Sequence, residues 1–100
     1  MSYKTEFPDF VLDVTIPEGF SDCSWHNDVC PSFEKDLPDG HYLVIWVDFA
    51  DPKEREYSSC HRFAVDLHDH DATYLRTLIR SDDWQEIVDF VKTPFEEKLS

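Results

Sequence analysis

Apolar and polar positions alternate along residues 10–16, FVLDVTI, placing Phe10, Leu12, Val14 and Ile16 on one side of an extended chain. That period of two predicts a strand, closed by Pro17 and Gly19. Residues 42–49, YLVIWVDF, are apolar at nearly every position, the pattern of a central strand covered on both faces. Val44 and Trp46 then point away from Ile45 and Val47. Alternation returns over 61–67, HRFAVDL, with Phe63, Val65 and Leu67 facing in, and 73–80, TYLRTLIR, reads as a fourth strand. The connecting ADPKERE and HDHDA carry turn chemistry.

Over 82–92 the period changes from two to that of a helix. Trp84, Ile87, Val88 and Val91 stand at i, i+3, i+4 and i+7, one apolar stripe. Asp82 is placed to cap its start, with Gln85 three residues on, and Pro94 stops it. Residues 20–40 show no period and are punctuated by Pro31, Pro38 and Gly40. They are expected to form a long structured loop, with a helical turn in CPSFEKDL and with Trp25 and Phe33 plugged onto the sheet.

The elements assemble into an α+β fold: a small antiparallel sheet of about four strands, 42–49 central, with one C-terminal helix packed on one face. The whole of 1–100 is expected to be one compact domain, with 1–9 and 94–100 as loose ends. The second sheet face needs a cover, either the 20–40 loop or a partner. A composition of 41% apolar and 15% aromatic residues belongs to a folded chain. There is no apolar run near the roughly 20 residues of a membrane helix, and MSYKTEFPDF lacks the apolar region of a signal peptide. With an odd count of three cysteines, the expected setting is the reducing cytoplasm, with free thiols.

Charge changes the picture most. Against 22 acidic residues stand 9 basic ones, a net charge of −13, where a small soluble domain is well served by a magnitude of roughly 2–8. Such an excess repels itself within the folded chain. It argues against nucleic acid or an anionic membrane as a direct partner and for a basic protein surface. The carboxylates also cluster: Asp48, Asp51, Glu54 and Glu56 around one hairpin, Asp66, Asp69 and Asp71 at the next turn, and Asp82, Asp83, Glu86 and Asp89 along the helix. The expected partner-binding set is Asp51, Glu54, Glu56, Asp82, Asp83, Glu86 and Asp89. Asp82, Glu86 and Asp89, at i, i+4 and i+7, form one ridge. Rows of carboxylates can imitate duplex phosphates, which fall one per roughly 1.7 Å of helix axis.

Other chemistry is sparse. Cys23, His26 and Cys30, with Cys60 from a hairpin strand, offer the donor types of a structural zinc. Cys60 and His61, however, are neighbours and would point to opposite faces of a strand. His68 and His70 among Asp66, Asp69 and Asp71 could meet a divalent metal, but the composition is that of a polar turn. A cysteine nucleophile needs a base in reach and a group to orient it; no spacing here supplies both, and with only Gly19 and Gly40 there is no glycine-rich phosphate loop. The expectation is no enzyme, no metal and no cofactor. SDCSWHNDVC reads as a loop tied by its own Ser, Asp and Asn side chains.

In size, charge and lack of a catalytic signature, though not in any motif, the chain resembles the small acidic proteins that bacteriophages use against host defences, anti-CRISPR proteins and other DNA mimics among them. That resemblance implies tight binding to a nucleic-acid-handling complex, and it carries over no residue. The alternative function is that of a small bacterial housekeeping domain stabilised by zinc at Cys23, His26, Cys30 and Cys60.

Overall fold

A computed structural model describes residues 3–25, 28, 30–37, 40–51, 53, 55, 61–71 and 73–92. A short helix α1 (Tyr3–Glu6) leads into an irregular arm. Five strands follow, β1 (Ser21–Asp22), β2 (Ser32–Asp36), β3 (Tyr42–Val47), β4 (Phe63–His68) and β5 (Tyr74–Ser81), and then helix α2 (Trp84–Lys92). Every neighbouring pair is antiparallel and the spatial order is β1-β2-β3-β4-β5, an open meander with β3 at its centre. The architecture is α+β, an antiparallel sheet with a C-terminal helix, with five strands rather than about four.

The core lies on one sheet face. Phe33, Leu43, Ile45, Val47, Phe63, Val65 and Leu67 supply it from β2, β3 and β4, and Ile87 and Val91 cover it from α2. Ile45, Val47, Val65 and Ile87 are fully excluded from water, each worth about 1.5–3 kcal/mol relative to an exposed side chain. Trp84 sets its ring 4.9 Å from that of Phe63 and anchors the start of α2. The helix begins at Trp84, the first residue of its apolar stripe and two residues after the expected start at 82. Its cap is Asp83, whose carboxylate accepts the Gln85 N–H at 3.0 Å while its carbonyl accepts that of Glu86 at 3.2 Å. Asp82 instead turns back to accept the Arg62 N–H at 2.8 Å, because the chain leaves β5 beside the start of β4.

Two stretches depart from the sequence reading. Residues 10–16 are not a strand: their alternate side chains do face the core, with Phe10 buried and Val11 77% exposed, but their backbone joins no sheet ladder. The arm is an extended chain laid across the core face, where Phe10 packs edge-on against Phe49 at 4.9 Å. A period of two reports one-sided burial of extended backbone, and the sheet pairing is a separate matter. Residues 3–9, read as a loose end, also pack here: the Tyr3 ring meets Phe10 and Phe33, and its N–H donates to Asp22 at 2.8 Å. Residues 94–100 lie outside the described residues.

The second departure is the expected loop 20–40, which contains β1 and β2. SFEKD alternates well enough to be a strand: Phe33 enters the core, Lys35 follows it on that side, and Ser32, Glu34 and Asp36 face the other way. Pro31 precedes the ladder rather than opening a helical turn, and its carbonyl accepts the Val47 N–H at 3.0 Å. Gly40, at φ 91°, closes the β2–β3 turn in a conformation that side chains other than glycine rarely adopt. The hairpin extends the sheet sideways and covers the second face only in part: Ser32 is buried there with Cys23 Sγ 3.3 Å from its Oγ, while Asp36 and Tyr74 of the same face stay exposed. Among the described residues no helix is long and apolar enough to cross a membrane.

Candidate protein-interaction surfaces

The ends of β3 and β5 and the start of β4 meet at one end of the sheet, and there the fold brings together part of the expected acidic set. Asp51 is exposed and accepts the Lys53 N–H at 3.0 Å, a local Asx turn. Asp82 is exposed and lies 3.3 Å from His61 Nδ1. Arg62 packs beside Asp82, which accepts its N–H: its side chain donates to the Asp48 carbonyl at 3.0 Å, pairs with Asp13 of the arm, and lays its guanidinium over the Phe63 ring at 4.9 Å. Glu54 and Glu56 lie outside the described residues. The negative charge at this end is therefore interleaved with His61 and Arg62.

The outer side of α2 is different. Asp83, Glu86 and Asp89 are exposed there with Gln85 and Lys92, while Ile87 and Val91 are buried beneath. Gln85 donates to Asp89 at 2.9 Å, an i, i+4 bond along the helix surface. The expected ridge is shortened to Glu86 and Asp89, since Asp82 belongs to the preceding turn.

Three carboxyls are held below their ordinary value of 3.8: Asp13 by its bond to Arg62, Asp69 by the Thr73 and Asp71 N–H groups, and Asp82 by the Arg62 N–H and His61. The unfolded chain takes up these protons first, so their stabilisation is complete above that value and is lost as pH falls through it. Asp28 runs the other way, pushed up by burial. The melting temperature should therefore fall on acidification below about pH 4, and a melting temperature that rises through that range would contradict the assignment.

The cysteines of the opening loop separate. Cys23 is half-buried with Sγ 3.3 Å from Ser32 Oγ, and Cys30 is 3% exposed. Burial pushes both thiols up, Cys30 far more strongly, so neither is held as a thiolate at neutral pH. Both are free. His26 and Cys60, the other two members of the zinc set, lie outside the described residues, and no group of three or more metal-type donors converges among the described ones. Ser24 is fully buried, its hydroxyl bonded to the Ser32 backbone, and Asp22 accepts the Ser24 N–H, the side-chain ties expected of this loop. Trp25, expected to plug onto the sheet, is 40% exposed. Changing Cys23 and Cys30 to Ser together should leave a folded protein, and Cys30 should resist a thiol reagent until the chain unfolds; prompt labelling of native Cys30 would contradict its burial.

The HDHD turn also resolves into structure. Asp69 accepts the N–H groups of Asp71 and Thr73 at 2.9 and 3.0 Å and so ties the β4–β5 hairpin. Asp66 points elsewhere, onto the sheet face opposite the core. There its two oxygens accept the Trp46 indole N–H at 2.9 Å and the Thr77 hydroxyl at 2.7 Å. Tyr74 OH and Thr77 Oγ1 lie 3.0 Å apart. The His68 ring stacks on Tyr42 at 5.1 Å and meets Tyr74 edge-on at 5.9 Å. One connected array of rings and hydrogen bonds thus spans β3, β4 and β5. The sequence held a signal for it: residues 42, 44 and 46 and residues 64, 66 and 68 alternate with core positions, and β-register puts them side by side. Their pairing could not be read without that register. No family model, curated protein or solved structure matches the chain.

Proposed function

We propose that this protein is a small acidic binding protein that occupies a basic, nucleic-acid-binding groove of a partner and keeps nucleic acid out of it. The observation that carries this reading is the outer face of α2, where Asp83, Glu86 and Asp89 are exposed on a helix whose inner residues Ile87 and Val91 are buried in the core. Carboxylates on a docked helix keep their spacing, about 1.5 Å of rise per residue, and so present charge in a fixed array as a nucleic-acid backbone does. A charge of −13 supplies the long-range field that steers such a protein toward a cationic groove. The mode of action would be that of the phage anti-defence proteins it resembles in character, and it requires neither catalysis nor a cofactor. Affinity capture from a bacterial lysate at low and physiological salt tests the reading: the retained partner should bind nucleic acid and should be lost as salt rises. Capture of acidic partners only would refute it.

A further inference from the structure

We infer that the open face of the sheet is a second contact surface, a preorganised seat for arginine and lysine side chains of a basic protein partner. The inference rests on the acidic-binder reading and adds to it the place and the chemistry of recognition.

Both helices and the arm pack on the core face. The opposite face carries Tyr42, Trp46, His68 and Tyr74 from three adjacent strands. Tyr74 is 53% exposed, and Tyr42, Trp46 and His68 are half-buried. Solvent-facing sides of antiparallel sheets ordinarily turn polar, so four rings on one such face point to a function at an interface, where Trp and Tyr are the commonest anchors.

The rings are also fixed in place. Asp66 holds Trp46 and Thr77, Tyr74 hydrogen-bonds with Thr77, and His68 stacks on Tyr42 and meets Tyr74 edge-on. Ordering already achieved in the free protein lowers the entropy that association must otherwise spend.

The charge on this face selects the partner. Register places Glu34 opposite Val44 and Asp36 opposite Tyr42, so both carboxylates share the face with the rings. Asp66 has both oxygens engaged in the array, which leaves Glu34 and Asp36 to meet a cation. Lys35 and Arg76 pair with Leu43 and Leu67 and so lie on the core side, while Arg80, opposite Ala64, is the one cation of the described strands on the open face. Rings beside carboxylates suit a guanidinium or an ammonium, which packs over a π face within about 6 Å while pairing with an acid. Nucleic acid could use the rings but would be repelled by Glu34 and Asp36.

The test is titration of the isotope-labelled full chain with an oligo-arginine peptide at low salt, followed by amide and indole NMR signals. The expected result is shifts at the Trp46 indole and along Tyr42, His68, Tyr74 and Thr77. Glu34→Gln with Asp36→Asn, and separately Tyr74→Ala, should each weaken binding by about tenfold, while Asp9→Asn with Glu18→Gln, two exposed acids of the arm on the core side, changes it by about twofold at most. Circular dichroism checks the fold, and if Tyr74→Ala unfolds the protein, the carboxylate pair alone carries the comparison. Binding with shifts confined to α2 would overturn this inference and leave the acidic-binder reading standing. No binding at low salt would overturn both.

Discussion

Phe63→Ala should lower folding stability by about 3–5 kcal/mol, the cost of deleting a buried aromatic ring. Phe63 is 2% exposed and pairs with Val47 where β3 ends and β4 begins. It also touches the Trp84 ring of α2 and the Arg62 guanidinium, each at 4.9 Å. One side chain therefore joins the sheet to the helix and to the residue that ties down the arm. Against a total stability of about 5–15 kcal/mol for a domain of this size, that loss approaches unfolding at ordinary temperature. Urea unfolding should show a lower midpoint with an unchanged slope. Trp84→Ala should cost less, because Trp84 is half-buried. A cost below about 1 kcal/mol for Phe63→Ala would refute the docked position of α2.

Neutralising the exposed acids of α2, Glu86→Gln with Asp89→Asn, should slow association with the basic partner several-fold at low salt. The difference should shrink as salt rises, since exposed charges are screened beyond about 8 Å at physiological ionic strength. Removing two like charges from a chain of −13 should leave its fold unchanged or slightly firmer. The matched control is Asp9→Asn with Asp71→Asn, two exposed acids outside α2 and outside the expected partner-binding set, which should slow association less. Stopped-flow association rates at several salt concentrations report both. Equal effects from both pairs would mean that net charge alone acts and that the helix face has no special part.

Much of this architecture was legible because burial imposes a period. YLVIWV sits in the central strand with Leu43, Ile45 and Val47 buried together, and Ile87 and Val91 dock α2 as their spacing required. Where burial did not coincide with hydrogen bonding, the reading slipped. FVLDVTI alternates because one side of the arm faces the core, although its backbone pairs with no strand. SFEKD hid a strand because the positions alternating with Phe33 and Lys35 are Ser, Glu and Asp, which resemble a loop when the sheet face they point to is not known. Asp82 and Asp83 are both capping residues in sequence, and only the return of the chain to β4 decides that Asp83 caps α2 while Asp82 holds Arg62. The acidic positions could be listed from the sequence. That Arg62 and His61 sit among those at one end of the sheet, while α2 presents Asp83, Glu86 and Asp89 outward, depended on the tertiary fold. The array of Tyr42, Trp46, Asp66, His68, Tyr74 and Thr77 was invisible for the same reason, since its members come from three strands and only register makes them neighbours.

The most direct measurement is competition on the captured partner, with its affinity for this protein determined at rising salt with and without duplex nucleic acid. Occupation of a basic nucleic-acid groove requires that affinity fall with the logarithm of salt concentration and that the nucleic acid displace the protein in a mutually exclusive manner. Affinity indifferent to salt, or a stable ternary complex of partner, nucleic acid and this protein, would contradict it.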